Sequence, residues 1–212
     1  MTISYIPTAR MLAVWLSAVL FLSVACAAEP EMVINKSITL TQSYVWYDGD
    51  REQRVWLNPQ VVAEFNPGAV GESAMQRAHA GARVISTKHR QAAVRLWLLD
   101  NTAESAIRGL KTNHPQGSYS AVFHDGPVST GRMRALPGNI IIHLDPKWTQ
   151  AAANNWLSAR KLEIVKKLEI GPNIYVIKTG PGLEALETAN ALHQSGEVKV
   201  ASPDWWEEFT TR

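Results

Sequence analysis

Two stretches of the chain carry the same order of apolar and polar positions. Val61-Val62-Ala63-Glu64-Phe65-Asn66-Pro67 and Ile140-Ile141-Ile142-His143-Leu144-Asp145-Pro146 match position for position. Each is an apolar run broken at its fourth residue and closed by an Asx-Pro pair. Each leads into a helix-like segment, two strand-like runs, a second helix and a short last strand. Self-similarity of this kind points to a duplicated structural unit. The spacing is longer than that of solenoid modules, so the pattern predicts two small domains rather than an array.

In the first unit, residues 58–125, the pattern predicts a strand over 61–65 and a helix over 72–80 stopped by Gly81. Strands follow over 82–86 and 94–99. Asn101 with Glu104 three residues on has the spacing of a capping box, opening a helix with Ala103, Ala106, Ile107 and Leu110 on one face. A strand over 119–123 closes the unit. Residues 126–138, with two prolines and three glycines, read as a linker.

The second unit, 139–206, begins with a strand over 139–144. Thr149 caps a helix that turns Ala153, Trp156 and Leu157 inward. Strands over 162–168 and 173–178 flank the Gly171-Pro172 turn. A helix over 183–194 buries Ala185, Leu186, Ala189 and Leu192, with Gly196 as a left-handed cap, and a strand over 198–201 ends the series. The order βαββαβ predicts an α+β protein of two tandem split-βαβ, ferredoxin-like units, each with two helices on one antiparallel sheet. Units this small are marginal alone, so the two are expected to pack together.

Ahead of the repeat lies a β-prone extension, 29–57. Ser37-Ile38-Thr39-Leu40-Thr41 alternates as a half-buried strand does. Tyr44-Val45-Trp46-Tyr47 and Arg54-Val55-Trp56-Leu57 then flank Asp48-Gly49-Asp50, the pattern of a hairpin. Residues 1–28 have the order of an export signal: Arg10, an apolar run over 11–25 interrupted only by Ser17 and Ser23, then Ala25-Cys26-Ala27-Ala28. That run falls short of the ~20 residues of a membrane span. The expectation is an exported protein, periplasmic or extracellular, beginning at Ala28 or Glu29. Cys26, the single cysteine, is a candidate lipid anchor, although Ser23-Val24-Ala25 is a poor lipoprotein signal. Cleavage after Ala27 or Ala28 leaves no thiol, and stability then rests on core packing rather than disulfides.

Charge narrows the partners. A formal balance of +2 gives no electrostatic footprint for nucleic acid, and no run of like charges suggests a polybasic membrane tether. His79, His89, His114, His124, His143 and His193 are scattered without the spacing of a metal site, and His124-Asp125, as sequence neighbours on a strand, point apart rather than forming a dyad. No Gly-x-Ser-x-Gly elbow occurs. Gly180-Pro181-Gly182 lacks the Lys-Ser/Thr of a phosphate loop and reads as a strand-to-helix turn. The chain is therefore expected to have no catalytic residue, no metal and no cofactor.

The second unit resembles the propeptide domain of subtilisin-like serine proteases, a class that also includes protease inhibitors. The resemblance runs through Pro137-Gly138-Asn139-Ile140-Ile141-Ile142, Leu162-Glu163-Ile164-Val165-Lys166-Lys167-Leu168, Asn173-Ile174-Tyr175-Val176-Ile177-Lys178, Leu186-Glu187-Thr188-Ala189-Asn190-Ala191-Leu192 and residues 198–203. It covers about 136–206, and the first unit is a looser copy. It implies that the sheet of the second unit docks on the protease and that the tail, 207–212 with the preceding tryptophans, lies in the active-site cleft like substrate. The implied partner-binding residues are Trp205, Trp206, Glu207, Glu208 and Phe209. With no protease domain before Arg212, the chain is expected to act in trans, as an inhibitor or folding helper of a subtilisin-like serine protease. The alternative is a cell-envelope structural or interaction module on the same fold. Strand alternation predicts one tryptophan of Trp205-Trp206 inward and one outward. Because the last strand ends before the tail, residues after Pro203 are expected to be dispensable for folding.

Overall fold

A computed structural model describes residues 37–67, 73–85 and 94–208; residues 1–28, expected to be an export signal, with Cys26 among them, and Phe209 lie outside these. The described chain is α+β, with two antiparallel sheets and four helices. In order, the elements are β1 (Ser43–Asp48), β2 (Arg51–Phe65), α1 (Ala74–Ala78), β3 (Arg83–Ile85), β4 (Val94–Leu98), α2 (Ala103–Asn113), β5 (Ser118–His124) and β6 (Met133–Ala135). They continue with β7 (Asn139–His143), α3 (Gln150–Ala159), β8 (Ile164–Lys167), β9 (Ile174–Lys178), α4 (Leu183–Ser195), β10 (Val200–Pro203) and β11 (Trp206–Glu207).

The first sheet runs β11-β6-β5-β2-β4-β3, with β1 also paired to β2, and the second runs β10-β7-β9-β8. Within β2-to-β5 and within β7-to-β10 the strands stand in the same spatial order: fourth, first, third, second. The segment 126–138, expected to be a linker, contributes β6, which pairs with β5 and with β11. The hairpin around Asp48-Gly49-Asp50 forms, with Gly49 at φ 60°. Its second strand does not stop at 57, however. β2 continues to Phe65 through an irregularity between Asn58 and Val62. Pro59 has no N–H to give a ladder and is tolerated at such a bulge, where Gln60 N–H donates instead to Asn58 Oδ1 (3.1 Å).

Local capping follows side-chain chemistry. Thr149 Oγ1 accepts from Ala152 N (3.2 Å) to open α3, and Gly196 closes α4 at φ 69°. The cap of α2 is Thr102 rather than Asn101: its extended backbone lets Oγ1 accept from Ser105 N (3.4 Å), while Glu104 receives Arg108 Nη2 (2.8 Å) one turn on. Gly138 is demanded by space as well as by its φ of 112°, since a Cβ there would stand 2.9 Å from the Thr179 carbonyl. That closeness lets Thr179 N donate to Gly138 O (2.9 Å) and ties β9 to the start of β7.

Among the described residues three apolar clusters hold the fold. One joins Val62, Trp97, Leu99 and Tyr119 of the first sheet to Met75, Ala106 and Leu110 of its helices. A second lies on the opposite face of that sheet: Val61, Ala63, Leu96, Val122 and Ala135. The third and largest unites the second sheet (Ile140, Ile142, Tyr175, Ile177) with Leu157 and Leu186 of its helices and with Val55, Phe123 and Leu136 of the first half. Burying a side chain of this size contributes about 1.5–3 kcal/mol, so shared residues such as Phe123 couple the halves. The β1 strand extends the seam: Asn190 Nδ2 donates to Val45 O (2.8 Å), Ser202 Oγ to Tyr47 O (2.7 Å), and the Tyr47 ring stacks on His193 at 3.8 Å.

The two matched strand segments present opposite faces. Ile140 and Ile142 point toward the helices, whereas their sequence counterparts Val61 and Ala63 point away from theirs. Because side chains alternate with period two, a one-residue slip exchanges the faces. The Asx-Pro closures differ too: Asn66 turns the chain at φ 51°, whereas Asp145 Oδ1 accepts from Lys147 N at 2.8 Å.

Candidate partner-binding surface

With Ile140, Ile142, Tyr175, Ile177 and Ala201 turned to α3 and α4, alternation sends the other residues of the second sheet to its far side. Register places Ile141 between Val176 and Ser202, and His143 between Ile174 and Val200. Lys166 lies opposite Val176. Among the described residues no helix packs on this face. Asn139, Ile141, His143, Val200 and Ser202 are half-buried, Lys166 is exposed, and Ile174 and Val176 are buried. The result is a mixed sheet surface, with Ile141 and Val200 accessible beside Asn139, His143, Ser202 and Lys166, able to exclude water against a complementary partner.

The ionisable groups of this region respond to that apolar setting. Burial lowers the pKa of His143, favouring the neutral imidazole. Asp204 follows β10, and its N–H donates to Asn139 O (3.1 Å). Burial raises its carboxyl above the usual range, while the Lys166 charge and a hydrogen bond with Asn139 act the other way.

The described tail residues, 205–208, make contacts within the molecule. Trp205 wedges between halves, edge-on to Trp46 and to Phe123, each with ring centroids 5.6 Å away. Trp206 goes to the other side, against the cluster of Val61, Ala63 and Val122. Alternation therefore separates the two rings, but both meet this chain. Glu207 pairs with Arg132 (3.3 Å) and with Arg134, and Arg134 also pairs with Asp125 and lies over the Trp46 ring at 5.6 Å. Glu208 N donates to Met133 O (2.9 Å). Residues 205–208 thus clasp the first sheet, so removal of everything beyond Pro203 would take contacts away from that sheet. The strand carrying these residues leaves the second sheet at Pro203 and re-forms in the first.

The described histidines are dispersed, and His89 lies outside the described residues. His79 and His114 cap the ends of α1 and α2, His193 stacks on Tyr47, and His124 is fully buried. The Gly131 carbonyl can only accept, so His124 Nδ1 carries the proton toward it (2.9 Å) and Nε2 receives Asn58 Nδ2–H (3.2 Å). No group of three His, Cys, Asp or Glu residues among the described ones could hold a metal ion, and no described helix is long and apolar enough to cross a membrane.

Sequence reasoning passed over Glu64, the most buried carboxylate among the described residues. It is 6% exposed, receives Trp97 Nε1–H (2.8 Å) and Ser73 Oγ–H (2.9 Å), and has Arg95 at 3.6 Å. The only sequence signal was an acid inside an otherwise apolar strand. Between the halves opens a cleft of about 280 Å³, walled by Leu57, Ile107, Pro181 and Leu183 and rimmed by Glu104 and Glu184. Comparisons with family models, with curated proteins and with solved structures found no match.

Proposed function

We propose that the chain is an exported, non-catalytic binding protein built from two tandem ferredoxin-like units, and that its second unit docks through the helix-free face of its sheet. The proposed partner is a subtilisin-like serine protease, held as by a propeptide-like inhibitor or folding helper. One observation carries the reading: the face centred on Ile141, between the buried Val176 and the Tyr47-bonded Ser202, is apolar at its middle and no described helix covers it. Such a surface suits another protein's apolar patch, where a few buried contacts supply most of the affinity. The shared strand order of the two halves supports the duplication. The Arg10–Ala28 pattern supports export, and the ordered segments of 136–206 support the protease partner.

The tail takes a second place in this reading. To enter a cleft as substrate does, β11 must first leave β6, breaking a two-residue pairing and the Glu207 ion pairs. Docking by the face alone needs no such opening.

Inhibition constants against a subtilisin-like protease test the proposal with three proteins. The parent should inhibit. Ile141→Asp, which places a charge at the centre of the face, should lose at least tenfold, the effect of one central contact. Glu207→Arg, which frees the tail, should inhibit more strongly if the tail enters the cleft and equally if the face acts alone. Absence of inhibition by all three, with recovery of only envelope proteins from the exported fraction, would transfer the assignment to an envelope-interaction module.

A further inference from the structure

We infer that β8 is a homodimer edge, at which two copies of this chain pair antiparallel to join their second sheets. β8 is the last strand of its sheet, and among the described residues its outer edge has no partner strand. It also carries exposed apolar side chains: Ile164 is 43% exposed and Val165 50%, and Ile170 in the turn to β9 reaches 78%. An outer strand with unpaired N–H and C=O groups is a template for another strand unless charge or irregularity guards it.

Both guards are present, and the sequence of the strand itself answers the first. Lys166 and Lys167 would repel a like strand, but Glu163 immediately precedes Ile164. In an antiparallel pairing centred between Ile164 and Val165, Ile164 faces Val165 of the second copy and Glu163 faces Lys166. Two-fold symmetry repeats each pair, as a self-complementary interface requires. The charged partners also share a side. Glu163 takes the Lys178 ammonium at 2.9 Å and Lys166 lies opposite Val176, and both Lys178 and Val176 project from the helix-free face of β9. The irregularity between Ile164 and Lys166 leaves Val165 without a β9 partner and half exposed. The surface joined is small, so the dimer belongs with weak associations, below ~1,200 Å² of total buried area. Because it uses the edge, it leaves the face of the proposed docking surface free, and it stands or falls separately from that proposal.

Sedimentation equilibrium over a concentration series, with circular dichroism to verify folding, tests the pairing on exposed positions. The parent protein should show a monomer–dimer equilibrium. Glu163→Lys turns two attractive pairs into repulsive ones and should raise the dissociation constant about tenfold. The exchanged double variant Glu163→Lys/Lys166→Glu should return it to near the parental value. A parent that stays monomeric to the highest concentration, a dimer indifferent to Glu163→Lys, or a double variant that remains weakened would each overturn the inference.

Discussion

The two halves share a strand order and use the far faces of their sheets in opposite ways. In the first half that face is core: Val61, Ala63, Val122 and Ala135 are fully buried, with Trp206 and Met133 packed against them. In the second half Ile174 and Val176 are buried, but Ile141, His143, Val200 and Ser202 stay half-buried and Lys166 is exposed. Position in the sheet therefore does not decide whether a face belongs to the interior; what the rest of the chain brings to it does. Here the C-terminal strand returns to the first sheet, and among the described residues no helix packs on the far face of the second.

The strongest test of this contrast sets one substitution in equivalent layers. Ala63→Asp buries an uncompensated charge and should cost about 3–5 kcal/mol, enough to unfold much of the protein. Ile141→Asp should cost only about 1 kcal/mol, within the ordinary range for a partly exposed site. Urea midpoints of the two variants measure the difference, and similar losses would erase the distinction between the faces.

A smaller effect is expected within the first half, at a polar site with no equivalent in the second half's core. Glu64→Gln keeps the shape but weakens the hydrogen bonds from Trp97 and Ser73 and removes the charge beside Arg95. Hydrogen bonds to charged groups are worth about 1.5–3 kcal/mol, so a loss near 2 kcal/mol should appear in chemical denaturation. An unchanged midpoint would show that burying the carboxylate offsets its bonds.

Acid should also weaken the first half more than the second. His124 has its pKa lowered, chiefly by burial, against smaller opposite pulls from the Gly131 carbonyl, Glu208 and Asp125. Its Nε2 faces an Asn58 amide whose Oδ1 is already held by Gln60 N–H, so a second proton meets a donor. The unfolded chain then binds the proton first, and stability falls as pH drops below the ordinary histidine value of ~6.5 toward the folded value. His143 has the same sign with less burial. Urea midpoints at pH 7.5 and 5 for the parent and for His124→Gln should converge in the variant; parallel slopes would remove His124 as the cause. The smallest effect belongs to the clasp: Glu207→Gln should cost under about 1 kcal/mol, because the partly exposed pairs are screened by water.

Much of the local structure was legible from residue chemistry. The Thr149 and Gly196 caps, the Gly49 turn and the inward residues of α2, α3 and α4 follow from spacing and side-chain type. Strand parity was not. Val61-Val62-Ala63 and Ile140-Ile141-Ile142 are apolar throughout, so neither segment carries the alternation that would tell one face from the other. β2 read as two strands, 54–57 and 61–65, because the bulge that joins them has no sequence mark of its own. β6 was hidden among glycines and prolines, since a three-residue strand is defined by its neighbours rather than by propensity. At the candidate site, the tryptophans were found but not their destination. Trp205 and Trp206 are interface residues in composition, and the interface they form lies between parts of one chain.

The return of β11 to β6 also sets an order of events. Arg134 and Glu207 are 73 residues apart, so the outer strand of the first sheet cannot be laid down until nearly the whole described chain has left the ribosome. Contacts of such separation close slowly. A chain threaded outward from its N-terminus would thus stay incompletely locked while in transit, and the first half would acquire its final edge only once the second had emerged.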